Sequence, residues 1–276
     1  MNAESLLMFT LSCDRAYLFA HPERRLTAEE ESRYEAALAE RSRGVPAQYI
    51  TGHQEFWGMD LIVSQAVLIP RPETEHVVET VLELQASGVG PRASAHTGEF
   101  SSDAQRPTPD ARIVDVGTGS GCIALALAQE LPDAEIHATD ISSTALEIAR
   151  ANAARHQLDT RIRFHRTDLL EGLSGKFDII ASNPPYVGES EEDTVQLEVR
   201  KFEPRSAVFA GPTGTEVIER LIPQAHAALR PGGWLILEIS GTIADRVRQL
   251  LKEWDDVQVI ADLQSIPRVA RARKRV

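Results

Sequence analysis

The most unusual chemistry in the chain stands at Asn183-Pro184-Pro185-Tyr186, directly after the apolar run 177–182, which reads as a buried strand. Two prolines remove two backbone donors and fix two φ angles. Each also holds its predecessor extended. The Asn183 side-chain oxygen and the Pro184 main-chain oxygen thereby become two acceptors in a stiff frame, beside the aromatic plane of Tyr186. A planar –NH2 group suits such a frame, because each hydrogen finds an acceptor and the flat group finds a stacking face. Taken alone, the same four residues serve equally well as a proline-rich turn.

The residues that decide between the two readings lie earlier. Asp115-Val116-Gly117-Thr118-Gly119-Ser120-Gly121 closes a strand predicted at 113–116 and opens a helix predicted over 121–131. Glycines let a backbone turn tightly and approach a ligand closely. The next strand, 135–139, runs into Asp140, a carboxylate placed to accept from ribose hydroxyls. The third, 162–165, is followed by Thr167-Asp168-Leu169, where an acid can take an adenine amino group. The plainer reading makes Asp168 a turn residue and Leu169 a core contact. A lone glycine loop is weak evidence, but loop, helix, second strand and terminal acid in this order point to an adenosine-type cofactor. The loop reads GTGSG and departs from the dinucleotide pattern GxGxxG. Ligands of doubly wound sheets bind outside the carboxyl ends of the strands. The loop and Asn183 therefore share one crevice, which favours the acceptor frame over the simple turn.

The elements that must position these residues alternate. Helix 143–156 is followed by strands 162–165 and 177–182, then by helix 214–229, strand 234–239, helix 242–254 and strands near 257–263 and 268–272. Such alternation predicts a doubly wound α/β sheet. The short turn Gln264-Ser265-Ile266-Pro267 demands an antiparallel last strand, so the sheet is mixed. Residues 1–47 read as a small helical domain, with a capping box of Thr27 and Glu30 before a charged helix over 28–43. Residues 48–70 read as a β-hairpin linker with a further strand at 66–69; its Tyr49, Phe56 and Trp57 read either as an exposed aromatic set for a protein substrate or as residues that only pack the hairpin on the sheet, the reading favoured for Trp57. Residues 71–276 form the cofactor domain, in which the Gly-, Ser- and Pro-rich stretch 86–110 reads as a flexible surface insert.

Composition narrows the partners. A net charge of −12 over 276 residues gives no basic field for general nucleic-acid binding. The two cysteines, Cys13 and Cys122, have no metal or redox spacing, so no metal is expected. No run is long enough to span a bilayer and the start lacks a signal-peptide pattern, so a cytoplasmic, monomeric protein without membrane contact is expected.

The glycine loop resembles that of S-adenosylmethionine-dependent methyltransferases, and Asn183-Pro184-Pro185-Tyr186 resembles the motif of those acting on a planar nitrogen. Further motifs are Arg43-Gly44-Val45-Pro46-Ala47-Gln48-Tyr49-Ile50-Thr51-Gly52, Glu55-Phe56-Trp57-Gly58 and Leu68-Ile69-Pro70-Arg71-Pro72-Glu73-Thr74-Glu75. Phe202-Glu203-Pro204, Leu229-Arg230-Pro231-Gly232-Gly233 and Ile266-Pro267-Arg268-Val269 complete the set. Over nearly the whole chain it is similar to the HemK/PrmC glutamine N5-methyltransferases of peptide chain release factors. The resemblance implies a class I, Rossmann-like methyltransferase fold. It implies methyl transfer from S-adenosylmethionine, leaving S-adenosylhomocysteine, to the glutamine of a release factor GGQ loop, with no direct nucleic-acid partner and with the release factor held by the N-terminal substrate-binding domain 1–47 and the hairpin up to residue 70. Cofactor contacts are expected from Gly117, Thr118, Gly119, Ser120, Gly121, Asp140, Asp168, Leu169 and Asn183. Asn183, Pro184, Pro185 and Tyr186 are expected to hold the substrate, with Asn183, Pro184 and Tyr186 carrying the chemistry. Three features depart from the family pattern: a shorter helical domain, Ser240 where glycine is usual, and the longer insert. The rivals are methylation of adenine or of a ribosomal-protein glutamine, a catalytically silent binding module, and a nicotinamide dehydrogenase.

Overall fold

The computed structural model describes residues 3–87 and 111–276, so the insert expected at 86–110 lies almost wholly outside the described residues. The chain opens with helices α1 (Ala3–Leu11), α2 (Arg15–Ala20), α3 (Ala28–Ser42) and α4 (Ala47–Thr51). The capping box forms: Glu30 N–H donates to Thr27 Oγ1 at 3.2 Å and Thr27 N–H to Glu30 Oε2 at 2.9 Å. Leu6, Ala37 and Ala47, with Tyr34, Leu38 and Ile50, make a small core between these helices.

Strands β1 (His53–Phe56) and β2 (Met59–Ile62) then form a hairpin. Its two-residue turn places Trp57 at φ 53° and Gly58 at φ 70°, the left-handed pair that matches strand twist. Tryptophan tolerates this conformation because its neighbours hold it. Its N–H donates to Glu75 Oε1 at 3.0 Å and its indole N–H to Glu130 Oε1 at 2.9 Å.

Three expectations for this linker are corrected. Residues 47–51 are helical, because Pro46 starts a turn and Gly52, at φ 78°, ends it. Residues 66–69 form no strand. Pro70 and Pro72 flank that stretch without donors, Ile69 N–H donates to Glu203 Oε2 at 3.2 Å, and the Val67 carbonyl accepts from Tyr49 Oη at 2.7 Å. The aromatic set packs inward: Phe56 is buried in the main core, Tyr49 packs on Val63, Val67 and Ala145, and Trp57 packs against the main core as favoured from its sequence.

A short 3₁₀ turn (Pro72–Thr74) leads into α5 (Glu75–Ala86). The alternating region follows as β3 (Arg112–Val116), α6 (Cys122–Glu130), β4 (Glu135–Asp140), α7 (Ser143–Arg155), β5 (Ile162–Arg166) and β6 (Phe177–Ser182). Between β6 and the rest of the sheet lie the short pair β7 (Val187–Gly188) and β8 (Phe209–Gly211), with α8 (Leu197–Phe202) and α9 (Arg205–Val208). The chain closes with α10 (Glu216–Ala228), β9 (Leu229–Glu238), α11 (Ala244–Leu250), β10 (Asp255–Ala261) and β11 (Pro267–Arg273).

The seven-stranded sheet has the order β10-β11-β9-β6-β3-β4-β5, with β11 antiparallel to both neighbours. The mixed, doubly wound sheet is therefore as expected. One face packs against the hairpin, α5 and α6, the other against α10 and α11. Strand order turns back between β3 and β6, so a crevice opens at their carboxyl ends. That is where the glycine loop and Asn183 emerge.

Candidate active site

A cavity of about 550 Å³ occupies this crevice, within the range of small-molecule sites. Its glycine-loop wall is held from below. Gly117 and Thr118 N–H both donate to the Thr139 carbonyl at 2.9 Å, which fastens the loop to β4. Gly119 stands at φ 56°, and its N–H donates to Asp140 Oδ2 at 3.0 Å. Asp140 Oδ1 accepts from Ser142 N–H at 2.9 Å. Burial pushes the Asp140 carboxyl above its ordinary range, and these backbone donors oppose the shift.

Beneath the loop, Asp115 is buried and takes the Thr118 hydroxyl at 2.6 Å and Ala124 N–H at 3.2 Å. Desolvation pushes its carboxyl up to about 7. Its Oδ1 and the neighbouring Ser120 Oγ have no hydrogen-bond partner among the described residues. Gly121, at φ 89°, starts α6; a Cβ there would stand 3.2 Å from Leu125 Cδ1 and 3.3 Å from Ala149 Cβ. Its glycine thus serves close packing of α6 on α7.

The third strand's contribution reaches the same space. Leu169 holds φ 53°, a strained conformation for a γ-branched residue, while Leu170 N–H is anchored on Gln224 Oε1 at 2.9 Å. Asp168 lines the cavity but is already engaged by the Arg220 guanidinium, a partner that sequence spacing did not indicate.

At the end of β6, Ser182 Oγ donates to the Val116 carbonyl at 2.7 Å, pinning the strand to β3. Asn183 follows and faces the cavity. Its Nδ2 donates to Thr74 Oγ1 at 3.1 Å, across 109 residues of sequence. Pro185 also lines the cavity. Pro184 is buried, and no main-chain donor outside the regular elements takes its carbonyl.

The Tyr186 ring packs against the core cluster of β6 and β9, and its hydroxyl donates to Glu238 Oε1 at 3.1 Å. Phe209 is the aromatic residue that lines the cavity, with Arg205 4.5 Å from its ring centre. The structure therefore gathers Gly117, Thr118, Gly119, Ser120, Asp140, Asp168, Leu169, Asn183 and Pro185 round one space. Gly121, Pro184 and Tyr186 do not line it.

Several lining residues have no expected role at the site. Gln65 to Leu68 and Pro70 come from the linker, Thr74 from the proline-rich motif that follows it, and Ser206 and Phe209 from a stretch left unassigned. Glu203 explains part of this. It is 5% exposed, accepts from Ile69 N–H and pairs with the Arg71 guanidinium, so it clasps two walls together. Buried Asn152 does the same for the hairpin, donating to the Ser120 carbonyl at 2.9 Å and to Ile62 O at 3.0 Å.

Fold and crevice define the class: a doubly wound methyltransferase domain preceded by a small helical domain. Residues 102–201 match the Methyltransferase small domain and residues 1–52 the PrmC N-terminal domain. A release factor glutamine methyltransferase of Koribacter versatilis is 51% identical over 99% of this chain and 91% of its own. One from Chlorobaculum tepidum is 42% identical over 97% of this chain and 88% of its own. The chain belongs to the release factor glutamine methyltransferase family. Among solved structures, the human METTL16 catalytic domain in complex with an RNA hairpin shares the fold, at TM-score 0.58 and 16% identity over 94% of this chain and 92% of that one.

Proposed function

We propose that the protein transfers a methyl group from S-adenosylmethionine to the side-chain amide nitrogen of the glutamine in the GGQ loop of a peptide chain release factor. The observation that carries this reading is the shared cavity. A glycine loop with its ribose-type acid and an asparagine with a free acceptor line the same space.

The residues present fit the cofactor. Gly117 and Gly119 line the cavity, and a Cβ on either would meet no protein atom within 4 Å, so the backbone borders open space. Asp140 holds the loop with one lone pair on each oxygen and keeps others for hydroxyl donors. Asp168 and Leu169 flank the region an adenine would take. When bound, S-adenosylmethionine supplies an electrophilic methyl on a positively charged sulfur.

The protein's own part is positioning and polarity. An amide nitrogen is a weak nucleophile because its lone pair is delocalised into the carbonyl. Asn183 Oδ1 and the Pro184 carbonyl take the two N–H groups out of the amide plane, which favours a pyramidal nitrogen. Their fixed dipoles also favour the positive charge that builds there. Holding the nitrogen in line with the methyl removes much of the entropic barrier. The nitrogen gains a methyl and sheds one proton to water. Phe209 lines the same cavity and borders the amide's path.

Mass spectrometry of release factor after incubation with the protein and S-adenosylmethionine tests the reading. One added methyl, mapped to the GGQ glutamine, is the expected result. An unmodified glutamine, or a methyl on another residue, refutes it.

A further inference from the structure

The acids of the cavity stand in a row along the carboxyl edge of the sheet. The glycine loop follows β3, Asp140 ends β4 and Asp168 follows β5, and these three strands are neighbours in that order. Adjacent strands lie about 4.8 Å apart. The acid after β5 therefore stands one ring's breadth beyond the acid that would take the ribose. Thr167 N–H donates to the Asp140 carbonyl at 3.0 Å, which fastens the two loops together. That is the place of the base, whose exocyclic amino group offers donors to a carboxylate.

Asp168 is already held there. Helix α10 reaches it with two side chains one turn apart. The Arg220 guanidinium donates to Asp168 Oδ2, and Gln224 Oε1 accepts from Leu170 N–H at 2.9 Å. Leu169 is fixed between these anchors at φ 53°, a left-handed conformation that persists only where its surroundings hold it. Buried Ile218, Leu221 and Ala225 seat α10 on the sheet, so the clamp has a firm base. Val217 and Arg220, three residues apart on one side of that helix, line the cavity with Asp168 and Leu169. The other oxygen, Asp168 Oδ1, has no hydrogen-bond partner among the described residues.

We propose that Arg220 is a positioning residue that fixes Asp168 for the adenine of the cofactor. The inference rests on the reading of the cavity as an S-adenosylmethionine site. An unanchored carboxylate rotates and spreads its acceptors over many directions. With Oδ2 tied to Arg220 that rotation stops, and Oδ1 is left to accept from the 6-amino group. Arginine suits the task because its planar fork is always charged and is less easily turned than an ammonium on a flexible stem. Arg220 acts through Asp168, so its effect belongs to the amino group of the base and not to the rest of the ligand. The side chains are 51% exposed for Arg220 and 33% for Asp168, so water and salt screen the pair and the effect is a few-fold.

Titration calorimetry with two ligands tests this: S-adenosylhomocysteine, and its analogue with hydrogen in place of the 6-amino group. Arg220→Ala should weaken S-adenosylhomocysteine by about 5-fold. It should leave the affinity of the analogue unchanged, because the analogue offers Asp168 no donor. Arg220→Lys keeps the charge without the fork and should recover part of the loss. In an Asp168→Ala background, adding Arg220→Ala should cost nothing further, since both changes break one pair. Raising the ionic strength from about 0.05 M to about 1 M should bring the wild-type preference for the amino ligand towards that of Arg220→Ala. If S-adenosylhomocysteine does not bind the wild-type protein, the cofactor reading falls and the inference falls with it. If it binds, but Arg220→Ala weakens both ligands equally or neither, only the role given to Arg220 is overturned and the cofactor reading stands.

Discussion

Replacing Asp140 separates what it does for a cofactor from what it does for the loop. The carboxylate accepts from Gly119 and Ser142 N–H at 3.0 and 2.9 Å, and a ribose would add one charge-assisted bond. Losing such a bond costs roughly 1.5–3 kcal/mol. At about 1.4 kcal/mol for each tenfold step, Asp140→Ala should weaken binding by about 10- to 150-fold. Asp140→Asn keeps one carbonyl oxygen for the loop, so it should lose less than alanine. It also relieves the burial that raises the native carboxyl. Titration calorimetry with S-adenosylmethionine and S-adenosylhomocysteine on all three proteins gives the answer. Both ligands carry the ribose, so both should lose the same factor. A loss confined to S-adenosylmethionine would mean that Asp140 acts through the sulfur's charge, and undiminished affinity for both would place the ribose elsewhere.

Four other outcomes are expected. Asn183→Ala should lower single-turnover methylation on the order of 10²–10³-fold with cofactor binding intact. Asn183→Asp should do no better, because it has no N–H to give Thr74; substantial activity in the aspartate variant would show that the anchor is dispensable. Phe56→Ala should destabilise the fold by about 3–5 kcal/mol in urea titrations, since the ring is 1% exposed; a surface recognition residue would cost almost nothing. Asp115 titrates near 7 in the fold, above its ordinary value. Its protonation therefore adds stability fully at pH below about 4 and loses that contribution as pH rises through 7. Relative to Asp115→Asn, wild type should gain unfolding free energy between pH 8 and 5, and a constant difference would refute the shift. A chain lacking residues 1–46 should bind S-adenosylmethionine but methylate release factor less efficiently, whereas one beginning at Arg71 should lose both; calorimetry and methylation assays on the two distinguish them.

The alternating strands, the glycine loop and the proline-stiffened Asn183 motif were legible because each is written in consecutive residues. The antiparallel end of the sheet followed from one short turn between β10 and β11, and the capping box from two residues three apart. What stayed hidden depends on partners distant in sequence. Trp57 sits in a left-handed turn that favours Asn or Gly, so the hairpin's tight turn carried no local mark. Residues 66–69 have strand-like composition, but their hydrogen bonds go to Glu203 and Tyr49 instead of a neighbouring strand. Aromatics at a linker read as exposed or packed alike until α5 and α6 are in place to cover them. Tyr186 gives its hydroxyl to a buried acid 52 residues further on, a bond that its spacing to Asn183 does not indicate.

These long-range bonds share one consequence. The division into a recognition part and a cofactor part, drawn at residue 70, cuts through the cavity wall. Residues 65–68 and Pro70 line the cavity alongside the glycine loop. Asn152 ties the hairpin to the loop at Ser120, Glu75 and Glu130 hold its turn, and Glu203 fastens Ile69 and Arg71 to the segment that carries Phe209. The groups that would meet a protein substrate and the groups that would hold the cofactor are thus joined through a few buried polar side chains. Such buried bonds are expensive to leave half made, so the linker and the loop hold their places together. A substrate loop that presses on residues 65–70 therefore bears on the same wall that carries the glycine loop and Asn183.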